Sequence, residues 1–162
     1  MTNDLANDSP ILNGPIVNES TQTEVNKEAM REWVAALRSG KYAQGESYLA
    51  RRIGDEDARY CCLGVACEIF AERLDVPRDE TVSMDGSVVV TYGGHTQWLP
   101  LSVRKLLGTD SEPNGKIFDR MGNFNTVSVV TMNDSGQYTF DEIANALEWA
   151  YSLGEEDNSD TA

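Results

Sequence analysis

The segment that most restricts this chain's fold is Tyr60-Cys61-Cys62-Leu63-Gly64-Val65-Ala66-Cys67-Glu68-Ile69-Phe70, in which Glu68 is the only charge. Leu63, Ala66, Cys67, Phe70 and Leu74 share one helical face, and Cys62, Val65 and Ile69 flank it. A helix apolar on most sides is a buried one, and Pro77 forbids its continuation. The small residues Gly64 and Ala66 allow close approach of a neighbouring backbone. This helix is therefore the expected hub of the core, and other elements must cover it.

The cysteines have a bland expected role. Cys61, Cys62 and Cys67 are odd in number and packed too closely for a disulfide framework. A zinc site needs paired Cys or His ligands at two places, and His95 is the single histidine. No metal and no cofactor is expected. Free Cys packs as a small hydrophobe, and reduced thiols suit a cytoplasm.

The covering elements follow from periodicity. Met30, Trp33, Val34 and Leu37 form one apolar stripe, predicting a helix over 24–38. Its cap is Thr21, in capping-box spacing with Glu24, or Asn26; Gly40 is its stop. Phe140, Ile143, Ala144, Leu147 and Tyr151 mark a last helix, opened by Thr139 and Glu142 and stopped by Gly154. A short helix is expected after Trp98-Leu99-Pro100, ending at Gly108.

Residues 81–92 read as a hairpin about Asp85-Gly86, a two-residue turn signal. Tyr48, Leu49 and Ile53 suggest a short strand. Residues 109–125 read as loop with apolar anchors Ile117, Phe118 and Met121. Thr126 to Met132 reads as a strand, followed by a turn at Asn133-Asp134-Ser135-Gly136. The sum is α+β, with three to four helices packed on a small antiparallel sheet in a single domain, residues 23–153. Residues 1–22 read as a flexible N-terminal arm, with Ile11, Leu12, Ile16 and Val17 available to dock, and 154–162 as a disordered acidic tail.

Charge narrows the function. The 162 residues hold 13 Lys+Arg and 27 Asp+Glu, a formal net charge of −14. The acids are spread along the chain, so the body keeps its excess. Phosphate-backbone binding needs a positive field, so direct DNA or RNA binding is not expected. No run approaches the ~18 apolar residues of a membrane span, and the polar N-terminus lacks a secretory signal's apolar stretch. A soluble protein without membrane contact is expected.

The ordered pieces Trp33-Val34-Ala35-Ala36-Leu37-Arg38-Ser39-Gly40-Lys41-Tyr42, Tyr60 to Cys67 (YCCLGVxC), Leu99-Pro100 and Met132-Asn133-Asp134-Ser135-Gly136 with Thr139-Phe140-Asp141-Glu142-Ile143-Ala144 (MNDxG–TFxEIA) resemble a family of small, largely unannotated accessory proteins of bacteriophages and prophages. The resemblance spans about residues 26–149. It implies an accessory role in the host cytoplasm rather than a capsid or replication part, and it supplies no catalytic residues. Small phage accessory proteins often antagonise host immunity, by capturing a nucleotide signal or blocking an effector protein.

Three readings of the residues are open. In the first, the protein is no enzyme but a sponge for a cyclic nucleotide-type signal. Arg51, Arg52 and Arg59 would hold phosphate, Tyr60 and Trp98 would stack a base, and Asn133 and Asp134 would read base or ribose edges. Gly93-Gly94 would let the ligand approach the backbone. In the second, the acidic chain mimics nucleic acid and inhibits a basic host defence protein. In the third, Cys62 at a helix start and His95 form a hydrolase pair, oriented by Asn133 or Asp134; the apolar surroundings of Cys62 oppose this. A homo-oligomer with a ligand site between copies is compatible with the size of the body.

Overall fold

A computed structural model describes residues 24–154. Helix α1 (Lys27–Arg38) is capped by Asn26, whose side chain accepts from the Ala29 N–H at 3.1 Å. Three short strands follow, β1 (Ala43–Gln44), β2 (Ala50–Arg52) and β3 (Arg59–Tyr60). The cysteine segment forms α2 (Cys62–Phe70). Strands β4 (Arg78–Val82) and β5 (Val88–Tyr92) make the first hairpin, and α3 (Leu101–Leu107) ends at Gly108 in the left-handed region. Strands β6 (Asn114–Phe118) and β7 (Phe124–Ser128) make a second hairpin, which runs into α4 (Val129–Asp134), and α5 (Phe140–Ala150) closes the described chain.

The architecture is α+β in one domain, as the periodicities imply. Among the described residues there are five helices and a five-stranded sheet of order β1-β3-β2-β5-β4, with β6-β7 as a separate two-stranded sheet. Only the β1–β3 pairing is parallel; the rest of the larger sheet is antiparallel. Helix α2 touches α1, α3, α4 and β3, and its residues from Cys62 to Cys67 are buried. The hub expectation holds for this reason: a helix without a polar face must be covered on every side.

Close packing explains the odd composition of α2. Cys61 caps it, its sulfur accepting from the Gly64 N–H at 3.4 Å. Gly64 lies against the backbone of the Leu49 segment, and a Cβ there would fall 1.7 Å from the Leu49 carbonyl oxygen. Trp33 donates its indole N–H to the Cys62 carbonyl at 2.9 Å, tying α1 to α2.

Four local expectations are corrected. The β4–β5 loop has three residues rather than two: Ser83 and Ser87 still pair, and Gly86 takes φ +86° as the left-handed third residue, a type I turn followed by a bulge. The 109–125 stretch contains β6 and the start of β7. Its hairpin repeats the geometry, with Asp119 paired to Asn123 and Gly122 at φ +87°. The Met-Gly pair there lacks the Asn-Gly or Asp-Gly signal. The strand expected to Met132 stops at Ser128, whose hydroxyl accepts from the Val130 N–H and opens α4. Val129, Met132 and Asn133 are then buried at helical spacing, and Asn133-Asp134 end a helix instead of forming a turn. The acidic tail and the arm with Ile11, Leu12, Ile16 and Val17 lie outside the described residues, as does the Thr21 cap.

Candidate functional site

A strand alternates its side chains between faces, and this decides which arginines meet. Arg51 on β2 stands directly opposite Arg59 on β3, so the two share a face. Arg52 points the other way and pairs with Glu80 on β4 at 3.6 Å. Tyr60 likewise leaves Arg59 and meets Tyr42 edge-on, with ring centroids 5.3 Å apart. Each pair adjacent in sequence, Arg51-Arg52 and Arg59-Tyr60, is split, and the cross-strand pair Arg51–Arg59 replaces them.

Arg51 and Arg59 line a cleft of about 320 Å³ with Ser47, Tyr48 and the acids Glu46, Glu56 and Asp57. The Arg51 guanidinium lies 5.3 Å from the Tyr48 ring centroid. Among the described residues neither Arg51 nor Arg59 forms an ion pair with a carboxylate. Two cations without such pairs therefore share one sheet face and one cleft with three carboxylates.

Asn133 and Asp134 build this cleft instead of contacting its contents. Asn133 is fully buried. Its Oδ1 accepts from the Cys62 N–H at 3.2 Å and the Gln44 Nε2 at 3.0 Å, and its Nδ2 donates to the Gly45 carbonyl at 2.8 Å and to Asp134 Oδ1 at 3.1 Å. Two donors and two acceptors exhaust the amide, so Asn133 has no bond left for a base. Asp134 Oδ1 also accepts from the Ser47 N–H at 3.0 Å, holding Ser47 at φ +73°. The expected readers of a ligand are thus the clamps on the loop that frames the arginines. The same contacts explain why the two motifs occur together: Asn133 of MNDxG closes the N-terminus of the YCCLGVxC helix.

Trp98 is 54% exposed and does not line the arginine cleft. Gly93 and Gly94, both at positive φ, form the tight return in which Tyr92 and His95 exchange backbone hydrogen bonds. Cys62 is inaccessible and donates its thiol to the Val129 carbonyl at 3.5 Å. Burial pushes that thiol well above its ordinary pKa, and Cys67 likewise; Cys61 is raised to about 11. A buried, protonated sulfur is a poor nucleophile, and His95 lies on the exposed return. The geometry therefore does not assemble the Cys62–His95 pair. Among the described residues no group of three His, Cys, Asp or Glu side chains is placed to hold a metal, and no helix is long and apolar enough to cross a membrane.

Sequence reasoning missed a second surface. Phe118 and Phe124 face each other across the β6–β7 hairpin, and Trp149 of α5 lies 4.7 and 5.8 Å from their ring centroids. The Lys116 ammonium sits 5.2 Å from the Phe124 ring and 5.8 Å from Trp149. Placement of Lys116, Phe118 and Phe124 at alternate strand positions was the available signal, hidden by reading 109–125 as loop.

Comparison with curated proteins finds no match, and comparison with solved structures finds none either. The family model described as Domain of unknown function (DUF8296) matches residues 25–151, from the turn before α1 to the end of α5, and the chain belongs to that family.

Proposed function

We propose that this is a phage accessory protein that works by binding, capturing a nucleotide signal of host defence in the Arg51–Arg59 cleft and so keeping it from its effector. The accessory role rests on the resemblance of the YCCLGVxC and MNDxG–TFxEIA segments. The observation that carries the ligand chemistry is the cross-strand pair of guanidinium groups, without carboxylate ion pairs among the described residues. The guanidinium fork suits a phosphate. Glu46, Glu56 and Asp57 in the same cleft disfavour a bare anion and favour a ligand that also donates hydrogen bonds. Nucleotides do both, through phosphate oxygens on one side and ribose hydroxyls and base amino groups on the other. Sequestration requires no bond-breaking, which accords with the buried thiols.

Calorimetry against mononucleotides and cyclic di- and trinucleotides tests this reading. Binding at low micromolar concentration, lost in Arg51→Ala and Arg59→Ala but kept in Arg73→Ala, is the expected result. Arg73 is the control because it is exposed and paired with Glu32. Uniform lack of binding, or binding indifferent to both cleft substitutions, overturns it.

The second reading, an acidic inhibitor of a host defence protein, is favoured by one feature. Strand β4 is a sheet edge exposed along its length, and it carries Asp79 and Glu80. It predicts capture of a basic host protein that weakens as salt rises, and that Asp79→Lys with Glu80→Lys abolishes.

A further inference from the structure

The arginine cleft has two neighbours. A second cleft of about 470 Å³ shares Gly45, Glu46 and Arg59 with it and extends to Tyr138. A third, about 240 Å³, shares Tyr138 with the second and reaches Lys116, Phe118 and Trp149. Along this path cations and rings recur together: Arg51 beside Tyr48, Arg59 with Tyr138, and Lys116 over Trp149. Among the described residues Lys116, like the two arginines, has no carboxylate ion pair.

We infer that the captured ligand is an oligonucleotide of two or three nucleotides, with one base stacked on the Phe118–Trp149 platform and phosphates at Arg51 and Arg59. The inference rests on the reading of the cleft proposed above and extends it to the size of the ligand. A nucleotide chain repeats one charge and one flat base per unit, and each of the three clefts is lined by at least one cation and one ring, with Arg59 and Tyr138 shared between neighbouring clefts. Single-stranded nucleic acid is held in this way, by a cationic track with stacking rings. The first cleft alone sits at the low end of the roughly 300–1,000 Å³ of small-ligand pockets, so it suits part of such a ligand. Phe118 is 64% and Trp149 38% exposed, an accessible ring surface that packing within the domain leaves uncovered. The route is held in place: the Tyr138 carbonyl accepts from Gln44 Nε2 at 2.9 Å, and the Thr139–Glu142 capping box fixes the start of α5 beside it. Glu46, Glu56, Asp57 and Glu142 line the same clefts and repel a long polyanion, which favours a short signal over a polymer as the ligand.

The test is calorimetry of the full chain with AMP and GMP, and with the linear and cyclic dinucleotides of each base. At least one dinucleotide should bind about tenfold or more tighter than its mononucleotide. Trp149→Ala should remove that advantage, roughly five- to a hundredfold; Phe118→Ala should do the same more weakly. Linear and cyclic arms identify which form the path accepts. Equal affinities for mono- and dinucleotides, or a Trp149→Ala variant indistinguishable from wild type, overturn this inference while the cleft reading stands. Absence of binding by every probe overturns the cleft reading itself, and this inference with it.

Discussion

The N-terminus of α2 and the β6–β7 hairpin use unusual residues in opposite ways. At α2 each conspicuous side chain is consumed by the fold: Cys61 is a cap, Gly64 a contact surface, and Asn133 a four-bond staple. On the hairpin, Phe118, Met121 and Phe124 are largely exposed. Buried polar groups are hydrogen-bonded because leaving them unpaired is costly, so rare residues in a core mostly report packing. An exposed apolar cluster has no such explanation within the domain. The lesson is that the distinctive motif marks the scaffold, and the plainer hairpin carries the available surface.

The contrast breaks most severely at Gly64. Gly64→Ala should cost ~3 kcal/mol or more, or prevent folding, because the added methyl would overlap the Leu49 carbonyl and overpacking shifts the backbone; denaturant unfolding measures it. Asn133→Ala should cost about 2–4 kcal/mol, since it leaves the buried Cys62 N–H and Gly45 carbonyl without their partner. Iodoacetamide sharpens the same point: native wild-type Cys62 should stay unlabelled, and Asn133→Ala should label it faster by opening the helix start. Rapid labelling of the native wild-type thiol would remove the scaffold interpretation. Thr139→Ala, which deletes the capping box of α5, should cost ~1 kcal/mol. Met121→Ser at the hairpin tip should change stability by less than ~0.5 kcal/mol, and a loss comparable to Asn133→Ala would erase the distinction between the two regions.

The smallest effect lies between the regions, at Glu112. Burial raises its carboxyl pKa, opposed by the Leu99 N–H and Arg104, and its Oε1 is buried without a hydrogen-bond partner among the described residues. A raised folded pKa means that the native state holds the proton more tightly. Its contribution is complete below the ordinary carboxylate pKa and is lost as pH rises through the folded value. Glu112→Gln should therefore gain in melting temperature relative to wild type on going from pH 4 to pH 7. An equal difference at both pH values would mean that this carboxyl titrates normally.

Helices α1, α2 and α5 were legible because a buried face repeats every three to four residues, whatever the partner is. The Thr139–Glu142 cap was legible because its contacts span three residues. The β4–β5 turn was found through Asp-Gly, whereas the equivalent Met-Gly turn was missed because its geometry comes from Gly122 alone. The candidate site was only partly visible. Arg51 and Arg59 were both singled out, but adjacency in sequence suggested partners that a strand sends to opposite faces.

The sequence alone determined the local elements and the identity of the hub, since periodicity, caps and the lack of a polar face act over a few residues. Tertiary structure decided everything that depends on register across the chain. It set Arg51 against Arg59, sent Arg52 to Glu80, placed Asn133 under the α2 N-terminus and brought Trp149 to the hairpin. Those juxtapositions join residues far apart in the chain, and a one-residue shift in strand pairing would exchange the faces. No local pattern contains that information; the packing of the whole core selects it.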